Sequence, residues 1–144
     1  MKDKHLVDKI LYMLPYWHYR IEKPLKQLQK KEGMSLEIYY CLQMLKREGT
    51  MSMSALSHRL HISKQQATKM INTLDKQQFI ERIYDTKDRR MIQIKPTPKA
   101  IQYIEDNTEM NEAFLKILKQ EFHDKEIDAF SKIMDALIDI FTQK

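Results

Sequence analysis

Gln65, Thr68, Lys69, Asn72 and Thr73 fall on one face of a helix at 3.6 residues per turn, with Ser63 just ahead of them and Lys64 and Gln66 flanking them. All are hydrogen-bonding side chains, and no acid stands among them. Glutamine can pair bidentately with adenine, and lysine can donate to guanine acceptors or to phosphate. Such a face suits base edges in a major groove, although an ordinary solvated helix face can look the same. A second group follows. Asp85 to Arg90 packs five charges into six positions, between stretches that alternate apolar and polar residues. That is the pattern of a hairpin with a charged tip. An arginine at such a tip can enter the narrow, negative minor groove. A nearby aspartate can hold a guanidinium by a bidentate pair. Arg90 is the expected inserted side chain, Asp88 its orienting partner, and Arg89 a contact to phosphate or to the protein itself. A solvated charge cluster is the plainer alternative.

These residues need elements to position them. Leu6, Ile10, Leu14, Trp17, Ile21, Leu25 and Leu28 recur at spacings of three and four, so a helix is expected from Leu6 to about Lys31. Pro15 and Pro24 should kink or break it. Ser35 caps a second helix that stops at Gly49. Ser52 caps a short helix carrying Leu56 and Leu60 inward. Ser63 caps the helix from Lys64 to about Gln78, whose core stripe is Ala67, Met70, Ile71 and Leu74. The two-stranded hairpin comes next. Thr97, with Pro98 at the first helical position, starts a helix to about Asn107. The remainder is again helical, with more apolar residues than one isolated helix can hide.

Composition narrows the function. A chain of 144 residues with 42% apolar residues makes one compact domain, or one domain with helical extensions. Its formal charge is +5, distributed as +3 over residues 1–42, +7 over 43–99 and −5 over 100–144. A basic middle on a different scaffold points to a binding module for a polyanion. There is no apolar leader at the N-terminus, and no stretch approaches the roughly 18 apolar residues of a membrane span. One cysteine, Cys41, excludes an internal disulfide. A cytoplasmic protein without a membrane partner is expected. Glycine-rich phosphate loops, His-Glu-x-x-His and nucleophile elbows are absent, so no catalytic residues are assigned and an enzyme is not expected. No cofactor is expected. His58 and His61 lack a third ligand nearby, so no metal site is assigned.

Two short helices, a tight turn and a basic hairpin form the winged helix-turn-helix order. The segment Leu56 to Ala100 resembles the MarR family of bacterial transcription regulators. The resemblance rests on Leu56-Ser57, Leu60, Ile62-Ser63, Thr68, Leu74-Asp75-Lys76, Ile80, Arg82, Asp85, Asp88-Arg89-Arg90 and Thr97. Family members usually carry glycine where His61 and Gln78 stand, at turns that favour positive φ. They carry leucine where Pro96 stands, which here removes a strand donor at the end of the wing.

The resemblance implies a mainly α fold with a small β-hairpin wing. Residues 1–34 and 100–144 would supply dimerisation helices, and residues 35–99 a winged helix-turn-helix DNA-binding domain. It implies a sequence-specific homodimer on a pseudo-palindromic operator in double-stranded DNA, in repressor style. It also implies a small aromatic or phenolic effector. Tyr12, Tyr16, Trp17 and Tyr39 are the candidates for its pocket, with core or interface packing as the alternative for each. The thiol-sensing branch of the family has its cysteine in the first helix, whereas Cys41 lies in the second. Its apolar surroundings suit an inert buried thiol. A winged helix used for protein contact without sequence-specific DNA binding is the alternative function.

Overall fold

The computed structural model describes residues 2–23, 35–88, 91–106 and 109–142. Helix α1 spans Lys2–Trp17, α2 Leu36–Glu48, α3 Met53–Arg59 and α4 Lys64–Lys76. Strands β2 (Ile80–Tyr84) and β3 (Ile92–Pro96) follow. A short strand β1, Met51–Ser52, precedes α3. Helices α5 (Pro98–Asp106), α6 (Glu109–Glu121) and α7 (Asp124–Thr142) complete the described chain. The fold is mainly helical with one small antiparallel sheet, as the sequence predicts.

Local chemistry sets most of the boundaries. Ser35, Ser52 and Ser63 each accept a hydrogen bond from the backbone N–H three residues on, satisfying a donor that the first helical turn leaves open. Thr97 does the same for Ala100, with Pro98 opening α5. Helix α2 ends at Gly49, whose φ of +82° suits glycine, and its N–H reaches the Leu45 carbonyl at 2.7 Å.

The core lies among α2, α3, α4, α5 and the sheet. Leu42, Leu45, Leu56, Ile71, Leu74 and Ile94 are fully buried there, with Cys41 among them. Each such aliphatic side chain contributes about 1.5–3 kcal/mol by leaving water. The stripe read from α4 packs as expected: Ala67, Ile71 and Leu74 are buried and Met70 borders the core.

Three features differ from the sequence expectation. The sheet has three strands in the order β1-β3-β2, with Met51 opposite Ile94 and Ser52 opposite Gln93. A strand of two residues is too short to show a periodicity. Helix α1 runs through Pro15, and a wider π turn follows at His18–Glu22, where the Lys23 N–H reaches the His18 carbonyl. Proline lacks the N–H owed to the Leu11 carbonyl, and the disturbance emerges one turn later. Pro24, Leu25, Leu28 and the expected end near Lys31 lie outside the described residues. The C-terminal run divides at Phe122–His123, where the His123 N–H donates to Glu126 Oε1 at 3.0 Å and starts α7.

Candidate nucleic-acid interface

Helices α3 and α4 meet through a turn in which His61 adopts φ +54°. Gln78 adopts φ +62° in the turn after α4. Both lie in the left-handed region expected at these two positions, and neither is glycine. The start of α4 is rigidly held by a reciprocal cap. Ser63 Oγ accepts the Gln66 N–H at 3.1 Å, and Gln66 Oε1 accepts the Ser63 N–H at 3.0 Å. Gln66, a candidate base reader in sequence, thus uses its amide oxygen to close the helix end.

The solvent face of α4 holds the remaining candidates. Lys64, Gln65, Thr68, Lys69 and Asn72 are all exposed. Thr68 Oγ1 donates to the Lys64 carbonyl at 2.9 Å, and Thr73 Oγ1 to the Lys69 carbonyl at 3.1 Å. Their hydroxyls keep lone pairs but have spent their protons. Lys64, Gln65 and Lys69 make no side-chain hydrogen bond or ion pair among the described residues.

Arg82 and Asp75 were missed as partners in this face. Arg82, on β2, donates from Nη2 to Asn72 Oδ1. Its Nε stands 3.8 Å from Asp75 Oδ2. The signal was present in the spacing: Thr68, Asn72 and Asp75 follow at i, i+4 and i+7, so an acid does share the line of the polar face. Lys64, Thr68, Asn72 and Arg82 line a cleft of about 320 Å³ with Met53, Ser54, Ala67 and Ile92.

The hairpin pairs Ile80 with Pro96, Arg82 with Ile94 and Tyr84 with Ile92. At its end the Asp85 N–H donates to the Met91 carbonyl, the Met91 N–H to the Asp88 carbonyl, and the Lys87 N–H to Asp85 Oδ1. These bonds form a compact tip. Arg89 and Arg90 lie outside the described residues. Past Pro96, the Thr97 N–H donates to the Phe79 carbonyl, so pairing resumes one residue beyond the missing donor. Thr97 Oγ1 and Lys99 Nζ also donate to the carbonyls of Gln78 and Gln77. They fasten the end of α4 to the base of α5.

The aromatic candidates do not converge. Tyr39 is buried, and its hydroxyl accepts from Gln43 Nε2 at 2.9 Å. Tyr12 and Tyr16 are exposed, with hydroxyls 3.2 Å apart, a contact that raises the Tyr16 phenol above its ordinary pKa, helped by slight desolvation. Trp17 lies elsewhere, in a cavity of about 630 Å³ with Met13, Phe114, Leu118, Phe122 and Phe130. Cys41 is sealed in the core, and burial pushes its thiol up to about 12. Among the described residues no group of three His, Cys, Asp or Glu is placed to hold a metal ion, and no helix is long and apolar enough to cross a membrane.

A two-helix unit, an exposed polar helix and an antiparallel wing define a winged helix-turn-helix protein. Residues 34–92 match the model of the MarR family. The uncharacterised HTH-type transcriptional regulator YsmB of Bacillus subtilis (strain 168) is 27% identical over 123 residues, covering 78% of this chain and 84% of that protein. The HTH-type transcriptional repressor MdtR of the same strain is 26% identical over 92 residues, covering 64% and 59%. The Streptococcus pneumoniae protein FabT, solved in complex with DNA, matches the fold with a TM-score of 0.68 at 17% identity, over 95% of this chain and 96% of that one.

Proposed function

We propose that this chain is a cytoplasmic, dimeric repressor that binds a pseudo-palindromic operator in double-stranded DNA. The carrying observation is the face of α4: its start is fixed by the Ser63–Gln66 cap, and Lys64, Gln65 and Lys69 stand exposed along it. In this reading α4 lies in the major groove. Gln65 and Lys69 reach base edges, while Lys64, Thr68 and the Ser63 hydroxyl meet phosphates or flanking bases. Gln66 and Asn72 contribute mainly through the amide nitrogens their internal bonds leave available. Arg89 and Arg90 extend the contact to the neighbouring minor groove, with Asp88 directing Arg90. The fold of a protein solved on DNA and the repressor named among the relatives support this reading.

Residues 35–99 would form the DNA-binding domain. Residues 1–34 and 100–144 would form the dimer. Leu6, Ile10, Phe130, Ile133 and Ile140 are exposed on α1 and α7, too apolar a surface for one chain to leave in water. A small aromatic effector would enter beside Trp17, since Tyr39 is committed to the core and Tyr12 and Tyr16 stand outside that cavity.

The test is selection of fragments from the source genome with purified protein, followed by gel shift. One enriched, two-fold related motif is the expected result. Lys69→Ala should then weaken binding to the selected motif more than to a scrambled one. Equal retention of all fragments at moderate salt would defeat the reading.

A further inference from the structure

We propose that Arg82 acts as a charge shield for the recognition helix: it holds the Asp75 carboxylate in an internal pair, so that an acid on the DNA-facing line of α4 does not repel phosphate. This rests on the DNA-binding reading given above. Asp75 is the one acid in the α4 segment Lys64–Lys76. It follows Thr68 and Asn72 at i+7 and i+3, which puts it on the line that carries two proposed contacts. Its side chain is 49% exposed, so the protein interior does not hide its charge. Arg82 arrives from the adjacent strand and is more covered, at 26%. One guanidinium therefore engages two residues on that line: Nη2 donates to Asn72 Oδ1, and Nε faces Asp75 Oδ2 at 3.8 Å.

The geometry separates two roles. A loose, partly solvated ion pair of this length adds little to folding. Its consequence lies in the field at the surface. Without Arg82, a full negative charge would stand one turn beyond Asn72 on the line of Thr68 and Asn72, where phosphates approach in this reading. The hydrogen bond to Asn72 fixes the guanidinium in place, because its planar fork can serve both acceptors together. Lysine has one donor head and cannot span them in the same way.

Three variants decide the matter: Arg82→Gln, Asp75→Asn and the double variant. Glutamine retains a donor for Asn72 and removes only the charge. Binding to the selected operator is measured by fluorescence anisotropy across a salt series, with thermal unfolding of each protein in parallel. Arg82→Gln should weaken binding about tenfold at low salt, the order of one charge a few ångströms from a phosphate in a wet interface. The deficit should shrink as salt rises, because screening hides the exposed carboxylate. Asp75→Asn alone should change affinity little. The double variant should recover most of the loss. A double variant as weak as Arg82→Gln would overturn the shield and make Arg82 itself a phosphate contact. A salt-independent deficit with a lowered Tm would make its role structural. If the natural chain selects no operator, the DNA-binding reading fails on its own account.

Discussion

Trp17 meets Phe114 edge-on, with ring centroids 5.7 Å apart and planes at 87°, across the gap between α1 and α6. The pair forms one wall of the 630 Å³ cavity, whose remaining lining is apolar except for Glu126. A neutral aromatic molecule could gain edge-to-face contacts there without leaving polar groups unpaired. A carboxylate would face the Glu126 charge. Trp17 is the one tryptophan of the chain, so its emission reports directly on this space. Neutral aromatics should shift that emission saturably and lower operator affinity, more strongly than their carboxylated counterparts. Phe114→Ala should reduce both responses. Unchanged emission and DNA affinity up to millimolar ligand would remove the cavity as an effector site.

The exposed apolar side chains on α7 lead to a second expectation. Ile133 is 57% exposed, so in a lone chain Ile133→Glu would change stability little. In a helix-to-helix dimer it would bury a charge and forfeit about 1.5–3 kcal/mol of apolar burial in each protomer. Sedimentation of the natural chain should give twice the 17.4 kDa protomer mass, and Ile133→Glu should shift it toward one protomer. A natural chain that sediments as a single protomer at micromolar concentration would end the dimer proposal.

His61 and Gln78 hold left-handed backbone at φ +54° and +62°, where a Cβ crowds the following carbonyl. Glycine relieves that crowding, which costs about 1–2 kcal/mol per residue, but it also loosens the unfolded chain. The net expectation for His61→Gly or Gln78→Gly is a gain of about 0.5–1 kcal/mol each. Both side chains are exposed, so no packing is lost. The two sites lie at opposite ends of α4, and the gains should add. Urea unfolding reads the change as a higher midpoint at constant slope. A lower midpoint for both variants would contradict the strain assignment.

The positive φ at these two turns was expected from the family resemblance alone, because neither histidine nor glutamine signals it. The caps at Ser35, Ser52, Ser63 and Thr97 were legible in the sequence itself, since each acts within three residues of itself. The fold class followed from the order of such local signals. What sequence did not display was set by tertiary packing. β1 exists only because Met51 and Ser52 fall beside Ile94 and Gln93. The Arg82–Asn72–Asp75 contact depends on how β2 crosses α4. Gln66 looked like a base reader because its capping bond has the same chemistry as a base contact. Tyr39 and Trp17 are aromatic residues on neighbouring helices, yet one faces the core and the other the α6–α7 cavity. Their spacing alone does not reveal which way each helix turns.

Cys41 carries a prediction in pH. Burial favours the neutral thiol and pushes its pKa from 9.0 up to about 12. The folded value is raised, so the thiol's contribution to stability is complete below pH 9. It is lost progressively as pH rises from 9 toward 12. Cys41→Ser should flatten the alkaline limb of the stability profile. It should also lower stability at neutral pH by leaving a hydroxyl in apolar surroundings. Thiol reagents at pH 8 should modify the native protein far more slowly than the unfolded one. Rapid stoichiometric labelling of folded protein would show that the core opens around this helix.

The wing closes on itself at Asp88, whose carbonyl accepts the Met91 N–H at 3.0 Å and whose side chain is half-buried. Arg90, outside the described residues, is the proposed inserted side chain, and Asp88 its guide. Two accounts of the wing then diverge in sign. If the tip serves only as positive charge, Asp88→Ala removes an opposing charge and tightens binding. If Asp88 aims Arg90, the same change weakens binding, even at low salt where attraction is strongest. The second outcome is expected. Arg90→Ala should weaken binding further and lower the slope of affinity against salt by about one unit, as one cationic contact near phosphate is lost. The double variant should lose less than the two singles together, because Asp88 then has nothing to orient. Anisotropy titrations on the selected operator at three salt concentrations measure all three effects. Thermal unfolding of each variant shows whether the tip still forms. An Asp88→Ala protein that binds more tightly and unfolds normally would leave the wing as a charged loop without an aimed arginine.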